Sequence, residues 1–302
     1  MDTIETRSPV EGRDRDDVLA LLGRIRHRTG IDPMSEHKVI GLKHGRAGST
    51  GVLLRSDGEL EAYAHLETVD DGFACEVIAS SPSPSSRRDA IATSLLGAVK
   101  ATVAEQGGGT LSYFLIDPSN QDLALANALG FAPRRELLLL SRRNSTDDVL
   151  TVEGPPLAPF RVGVDEDAWI SLNGRAFSGH PEQGRWSRSD LVDREAEPWF
   201  SPDGLLCCWI DGRLAGTCWT KVHVGPEPVG EIYVMSIDPD FQGKGLGRRI
   251  LSHALAHISA AGLPATILYV EGDNVPALGL YRAFGFENAS RTVVLATEVG
   301  GE

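Results

Sequence analysis

The stretch EIYVMSIDPDFQGKGLGRR, residues 231–249, decides the fold of this chain of 302 residues. Its apolar and β-branched part, IYVMSI, predicts a buried strand, which an Asp-Pro pair ends. Gly243, Gly245 and Gly247 follow and lead into the helical pattern RRILSHALAHISAAG. The stretch therefore predicts a strand, a glycine turn and a helix, in that order.

A glycine turn of this kind suits a phosphate or pyrophosphate group. Glycine lets the backbone approach a ligand closely, and the start of the next helix adds the positive end of its dipole. The turn is not a P-loop, because no Gly-Lys-Ser/Thr ends it, and the G-x-G-x-x-G order of a dinucleotide site is absent. The spacing is Q-x-x-G-x-G over 242–247, followed by Asn274, Ala277, Leu280, Tyr281 and the pair Gly285-Phe286.

Together these motifs resemble the acetyl-CoA signature of the GCN5-related N-acetyltransferases (GNATs). The resemblance implies acyl transfer with acetyl-CoA as co-substrate. It also implies an α/β (α+β) fold, in which a central mixed and mostly antiparallel sheet is flanked by helices.

The composition narrows the class of protein. A content of 41% hydrophobic and 24% charged residues is that of a soluble globular chain, and the length allows two domains. A net charge of −13 argues against a general nucleic-acid surface. The four cysteines form no C-x-x-C pair, so we expect reduced core thiols and no metal site. The polar first residues and the lack of about 18 consecutive apolar residues predict a cytoplasmic protein without a membrane partner, and we expect a monomer.

The order of predicted elements repeats. A helix, a hairpin, a strand, a long helix, a strand, a short helix and a strand follow one another twice, with hairpins turned at Asp57-Gly58 and Asp211-Gly212. A shift of 155 places Glu76 on Glu231, and Ala-Leu-Gly-Phe at 128–131 on Ala-Phe-Gly-Phe at 283–286. The sequence therefore predicts an internal duplication, with domains at 1–145 and 146–302 divided by the polar and Pro-rich stretch 141–159.

The two copies differ in chemistry. The glycines of the turn align with Arg88, Ala90 and Ala92, and Tyr281 aligns with Ala126. The first copy would place side chains where a pyrophosphate has to meet the backbone. We therefore predict a non-catalytic first domain and a catalytic second domain.

Two residues of the second copy have the chemistry that amine acetylation needs. The attacking amine must be neutral, which requires a nearby carboxylate, and Glu231 opens the predicted strand. Tyr281 is the candidate acid for the departing thiolate. The residues alone leave alternatives: Glu231 as a solvated strand end, Tyr281 as a packing ring, Lys221 as an exposed strand end or a ligand, and Glu36 and His37 as solvated loop residues.

Several stretches of the second half are similar to the mycothiol synthases, a family of tandem GNAT enzymes in actinobacteria. They are RVGVDEDAWISLNGRAFSGHPEQGRW, EPWFSPDGLL, WTKVH, GEIYVMSIDPDFQGKGLGRR and LYVEGDNVPALGLYRAFGF. The match covers nearly all of residues 160–290 and is thinner in the first half. The family acetylates the cysteinyl amine of a cysteine-glucosamine-inositol conjugate.

The resemblance implies roles for particular residues. Those around the sugar-cysteine substrate are Glu36, Glu182, Lys221, Glu231 and Tyr269. Those that bind acetyl-CoA are Met235, Ser236 and Ile237, whose amides hold the thioester carbonyl, then Gln242, Gly243, Lys244, Gly245, Leu246, Gly247 and Arg248, and finally Asn274, Val275, Pro276, Ala277, Leu278 and Gly279.

Two other functions stay open. One is a GNAT acetyltransferase for a different amine, such as an aminoglycoside or a protein N-terminus. The other is a non-catalytic acyl-CoA sensor, against which the retention of Glu231 and Tyr281 argues. The sequence departs from the family at Ser236, where glycine is frequent, and in the degraded loop of the first copy.

Overall fold

A computed structural model describes residues 2–29, 32–45, 49–69, 72–79, 85–145, 153–179, 183–225 and 227–301. The chain divides into two compact units. One comprises Met1–Leu137 and Arg291–Glu302, and the other comprises Leu138–Ser290. The predicted domain limits at 145/146 stay a prediction.

The first half of the chain contains six strands and four helices among its described residues. In order they are β1 (Asp2–Arg7), α1 (Gly12–Thr29), α2 (Glu36–His44), β2 (Ser49–Ser56), β3 (Glu59–Val69), β4 (Gly72–Ala79), α3 (Ser85–Glu105), β5 (Gly109–Ile116), α4 (Asn120–Ala128) and β6 (Ala132–Arg143).

The second half contains the same series. In order the elements are β7 (Leu157–Pro159), α5 (Glu166–Ala176), α6 (Arg188–Glu195), β8 (Leu205–Ile210), β9 (Arg213–His223), β10 (Val229–Ile237), α7 (Leu246–Ala260), β11 (Ala265–Glu271), α8 (Val275–Ala283) and β12 (Glu287–Val299).

The structure confirms the predicted duplication. Each element of the first half has a counterpart of the same type in the second, and β1 and β7, like α4 and α8, begin 155 residues apart. The hairpin turns also match, because Asp57 and Asp211 have φ of 49° and 50° and are followed by glycines with φ of 86° and 77°. A positive φ is the reason for glycine at the second position of each turn.

Each unit has a mixed sheet. The strand order is β1-β2-β3-β4-β5-β12 in the first unit and β6-β11-β10-β9-β8-β7 in the second. Adjacent strands are parallel at β4/β5 and β10/β11, and antiparallel in the other registers that the described residues give. The last strand of the chain pairs with β5, from Thr292 opposite Ile116 to Val299 opposite Gly109. The predicted α/β fold with a mostly antiparallel sheet is confirmed.

Helices cover both faces of the sheet in the second unit. One cluster packs α7 and α8 through Ile250, Leu255 and Leu278 against the strands. The other packs α5 and α6 through Trp169 and Leu191 on the opposite face. Such burial is the main favourable contribution to folding. No helix among the described residues is long and apolar enough to span a membrane.

Four elements depart from the expectations. β1 and β7 lie in stretches predicted as polar chain and linker; both are at sheet edges, where polar side chains and Pro159 are tolerated. The predicted loop at Glu36 and His37 is wrong, because α2 begins at Glu36. α6 was not predicted, although Ser187 and Asp190 form the capping box that starts it.

Candidate active site

Strand β10 carries a β-bulge in the middle of the sequence stretch that predicts the site. Its register against β9 shifts between Ile232 and Val234, so Tyr233 is the extra residue. Tyr233 and Val234 both pack in the cluster below α5 and α6, whereas Ile232 and Met235 pack in the cluster below α7. A bulge of this kind bends the strand and changes the direction of its following amides.

The parallel pairing of β10 with β11 ends at the residue before the bulge. The register of β10 and β11 runs from Gly230 opposite Thr266 to Ile232 opposite Leu268, although β10 continues to Ile237. Among the described residues, the edge of β10 at 235–237 therefore has no strand pairing on the β11 side. The family resemblance implies that the amides of this segment hold a thioester carbonyl.

The glycine turn has the shape of a cradle for a ligand. Gly243 and Gly245 have φ of 72° and 80°, and a Cβ atom added to either would meet no protein atom within 4 Å. Gly245 is the N-cap of α7, and no side chain caps that helix end. The first amides of the helix are thus left to a ligand or solvent, as in helix-terminal phosphate sites. The space and the amides fit the pyrophosphate of acetyl-CoA.

A buried carboxylate anchors the turn. Asp238 is 1% exposed and accepts hydrogen bonds from Arg175 at 2.8 Å, Arg213 at 3.2 Å and the Asp240 amide at 3.0 Å. Burial would raise the pKa of Asp238, but the arginines and the amide hold it below its usual value. The charged form is therefore retained, and it fixes the chain just before the glycines.

Polar side chains of the turn lie at its surface. Gln242 donates to the Ile237 carbonyl at 3.3 Å, and Lys244 donates to the Asp240 carbonyl at 2.8 Å. The Arg248 guanidinium lies 5.2 Å from the centre of the Phe284 ring. Gly247 approaches Leu280 and Met235, where a Cβ would lie at 3.5 and 3.6 Å. Their predicted roles toward acetyl-CoA stay predictions.

Helix α8 brings the candidate acid to the same region. Asn274 caps the helix by accepting from the Ala277 amide at 3.2 Å. Val275, Pro276 and Gly279 are exposed, whereas Leu278 is buried in the core. Tyr281 is 8% exposed and packs edge-on against Phe286. Burial, with a smaller effect of the Cys218 thiol, raises the pKa of Tyr281 well above its usual value, so its hydroxyl keeps its proton.

The candidate base is a buried carboxylate. Glu231 is 6% exposed, which excludes a solvated strand end, and it lies directly opposite Lys221 in the β9/β10 register. Glu231 Oε2 lies 2.6 Å from His223 Nε2. Glu231 and Lys221 point to the same face of the sheet because they are directly paired. Ile232, the next residue, points to the other face and packs in the cluster with α7. Tyr281 packs on that other face too.

Lys221 is held by aromatic rings and is not an exposed strand end. It is 7% exposed, and its Nζ lies 4.6 Å from the centre of the Trp199 ring and 5.2 Å from that of Tyr233. Arg194 donates from Nε to the Tyr233 hydroxyl at 2.8 Å and lies 3.7 Å from the Trp186 ring centre. Cation–π contacts of this kind stabilise charge in a buried site.

The sequence did not predict the aromatic rings around Lys221 or the contact of His223 with Glu231. The WTKVH motif holds a usable signal, because side chains of a strand alternate and His223 must share the face of Lys221. The bulge at Tyr233 has no comparable signal, since it depends on how two strands pair.

The other predicted substrate residues lie in different parts of the chain. Tyr269, on β11, is 49% exposed. It lies two residues after Ile267, which is opposite Glu231, so Tyr269 and Glu231 point to the same face of the sheet. Glu36 begins α2 in the first unit and is half-buried. Glu182 lies outside the described residues. Their contacts with a substrate stay predictions.

The first copy lacks the cradle. α3 begins at Ser85, so Arg88, Ala90 and Ala92 lie within a helix. The ion pair of Arg88 with Asp122, at 3.2 Å, ties α3 to α4.

The counterpart of the candidate base is also engaged. Glu76 is 2% exposed and accepts from the Ser35 amide at 2.8 Å, from the Ser35 hydroxyl and from Lys38 Nζ at 2.9 Å. Burial would raise the pKa of Glu76, but Lys38 and Ser35 hold it below its usual value. Internal cations and donors thus satisfy this carboxylate.

Comparisons with known proteins bear on the family and the fold. The model of the acetyltransferase (GNAT) family matches residues 168–286. A mycothiol acetyltransferase of Thermomonospora curvata is 42% identical over 275 residues, 89% of each chain, and one of Geodermatophilus obscurus is 40% identical over 282 residues, again 89% of each. A tandem GNAT protein of the clavulanic acid biosynthesis pathway has a similar fold, with a TM-score of 0.74 at 16% identity over 100% of both chains.

Proposed function

Because the chain belongs to the mycothiol acetyltransferase family of GNAT acyltransferases, we propose that it acetylates the cysteinyl amine of a cysteine-glucosamine-inositol conjugate with acetyl-CoA as donor. The observation that carries the reaction is a buried carboxylate, Glu231, on the strand whose edge opens beside the glycine cradle. The acceptor is proposed from the relatives, whose similarity extends over both copies.

Acetyl-CoA would supply an acetyl group activated as a thioester. The residues that would hold it are the amides of 235–237 and the turn 242–248, together with 274–279 at the start of α8. Amide donors placed at the open edge of β10 favour negative charge on a carbonyl oxygen.

Glu231 then takes a proton from the ammonium group of the acceptor, directly or through a water, and this frees the lone pair of the amine. Lys221, opposite Glu231, is available to hydroxyl or carbonyl oxygens of the acceptor. Tyr281 keeps its proton and donates a hydrogen bond to a departing sulfur from the other face of the sheet. A ligand in the opening between β10 and β11 could be reached by side chains from both faces of the sheet.

We assign the chemistry to the second copy alone. The first copy has a helix where the glycines of the cradle align, and its carboxylate Glu76 is engaged by Lys38 and Ser35. Monomeric state and cytoplasmic location stay predictions of the sequence.

The acceptor is tested with the full-length chain, acetyl-CoA and three amines: the cysteine-glucosamine-inositol conjugate, an aminoglycoside and a peptide with a free N-terminus. Products are identified by mass spectrometry and CoA is quantified by chromatography, because the first acceptor carries a thiol of its own. We expect acetylation of the conjugate at the cysteinyl nitrogen. Acetylation of another amine alone would overturn the acceptor, and acetyl-CoA binding without turnover would indicate a sensor.

A further inference from the structure

His223 is a partly exposed imidazole in contact with the candidate base. Its Nε2 lies 2.6 Å from Glu231 Oε2, and its side chain is 21% exposed where that of Glu231 is 7% exposed. Val229 lies opposite His223 and Lys221 lies opposite Glu231, so the contact is a diagonal one across two antiparallel strands. The proposed reaction leaves this histidine without a role.

The surroundings determine which atom carries the proton. An ionised carboxylate accepts hydrogen bonds and donates none, so the hydrogen between the two side chains belongs to Nε2. Lys221 is the charged group directly across from Glu231, and Ile267 of β11, on its other side, is apolar. Arg194 faces Tyr233 of the same strand. The imidazole is thus a donor that engages one carboxylate oxygen, Oε2.

We propose that His223 is a positioning residue for the base, and this rests on the proposed function of Glu231. Its Nε2–H donates to Oε2, fixes the carboxylate rotamer and leaves Oε1 as the oxygen that accepts the proton of the acceptor. Removing the donor therefore lowers kcat and leaves acetyl-CoA binding unchanged.

Two substitutions separate the donor from the ring. His223→Phe keeps an aromatic ring without a donor, whereas His223→Gln keeps an N–H at a similar distance from the strand. We expect the Phe variant to lose about tenfold or more in kcat near neutral pH, with the KM for acetyl-CoA unchanged. The Gln variant should retain most of kcat. The control His253→Phe, on α7 where Nδ1 lies 3.0 Å from the Arg249 carbonyl oxygen, should behave as wild type.

Nitrogen-15 NMR of the imidazoles gives a readout that does not need turnover, with the His223 signal assigned by its loss in His223→Phe. Protonated Nε2 in the wild type supports the proposal, and an Nε2 without hydrogen overturns it. With an active wild type, a Phe variant with wild-type kcat, or a Gln variant as impaired as the Phe variant, also overturns it. If the wild type acetylates no amine, the proposed function fails and the NMR result still decides the contact.

Discussion

Gly245→Val tests the cradle at the start of α7. Gly245 has φ of 80°, and a side chain there would meet no protein atom within 4 Å. The effect on the free protein is therefore backbone strain, about 1–2 kcal/mol for a residue with a Cβ in the left-handed region. If the turn relaxes to relieve that strain, acetyl-CoA binding has to bring back the strained conformation. That cost weakens acetyl-CoA binding by about 5- to 30-fold. Two methyl groups facing the pyrophosphate increase the loss.

Gly262→Val is the matched control. Gly262 follows the other end of the same helix, with φ of 74° and equally open space. It should be destabilised like Gly245→Val and keep the acetyl-CoA affinity of the wild type. Isothermal titration calorimetry with acetyl-CoA measures both, after thermal unfolding has shown that each variant folds. A Gly245→Val protein with affinity within about twofold of wild type, or an equal loss in Gly262→Val, would refute the assignment of the turn.

Four further substitutions test other residues of the site and of the core. Tyr281→Phe keeps the packed ring and should lower kcat by about tenfold to 10²-fold with little change in KM; an unchanged kcat would leave Tyr281 a packing residue. Lys221→Ala and Glu36→Ala should raise the KM of the sugar-cysteine acceptor much more than that of acetyl-CoA. If the Glu36→Ala enzyme has the wild-type KM for both substrates, Glu36 does not bind the acceptor. Burial, with a smaller effect of the Lys38 ammonium, lowers the pKa of His65 from 6.5 to about 4. The folded state favours the neutral ring, whereas the unfolded chain takes up a proton below pH 6.5. The free energy of unfolding is therefore highest above pH 6.5 and falls by about 3 kcal/mol as the pH drops to 4. Hydrogen-exchange protection of β3 should show this loss in the wild type and a smaller one in His65→Gln, and equal losses would contradict it.

The sequence predicts much of the fold because each copy repeats the same hydrophobic periods and turn residues. The glycines after Asp57 and Asp211 determine both hairpins, and the run before Asp238 determines β10. Edge strands such as β1 bury little apolar surface and so have no strong pattern. The partner of β12 also has no local signal, since pairing with β5 depends on the fold of the first unit.

The candidate site was predicted where chemistry follows from residue type and spacing. The glycine turn is one example, because glycines directly before a helix suit a phosphate group, and Glu231 is another, because amine acetylation needs a nearby carboxylate. The bulge at Tyr233 and the contact of His223 depend instead on register, which single-strand patterns do not determine. Burial also changed the interpretation of Lys221, since a lysine at a strand end is ordinarily solvated.

The dependence of kcat on pH in Glu231→Gln shows whether this buried carboxylate is the catalytic base. The substitution keeps the shape of the side chain and removes its ability to take a proton. We predict the greatest loss at low pH, where the amine of the acceptor is protonated, and partial recovery as rising pH supplies the free amine. A loss that is uniform across pH, or no loss at all, would contradict the account and leave Glu231 as a group that binds the acceptor.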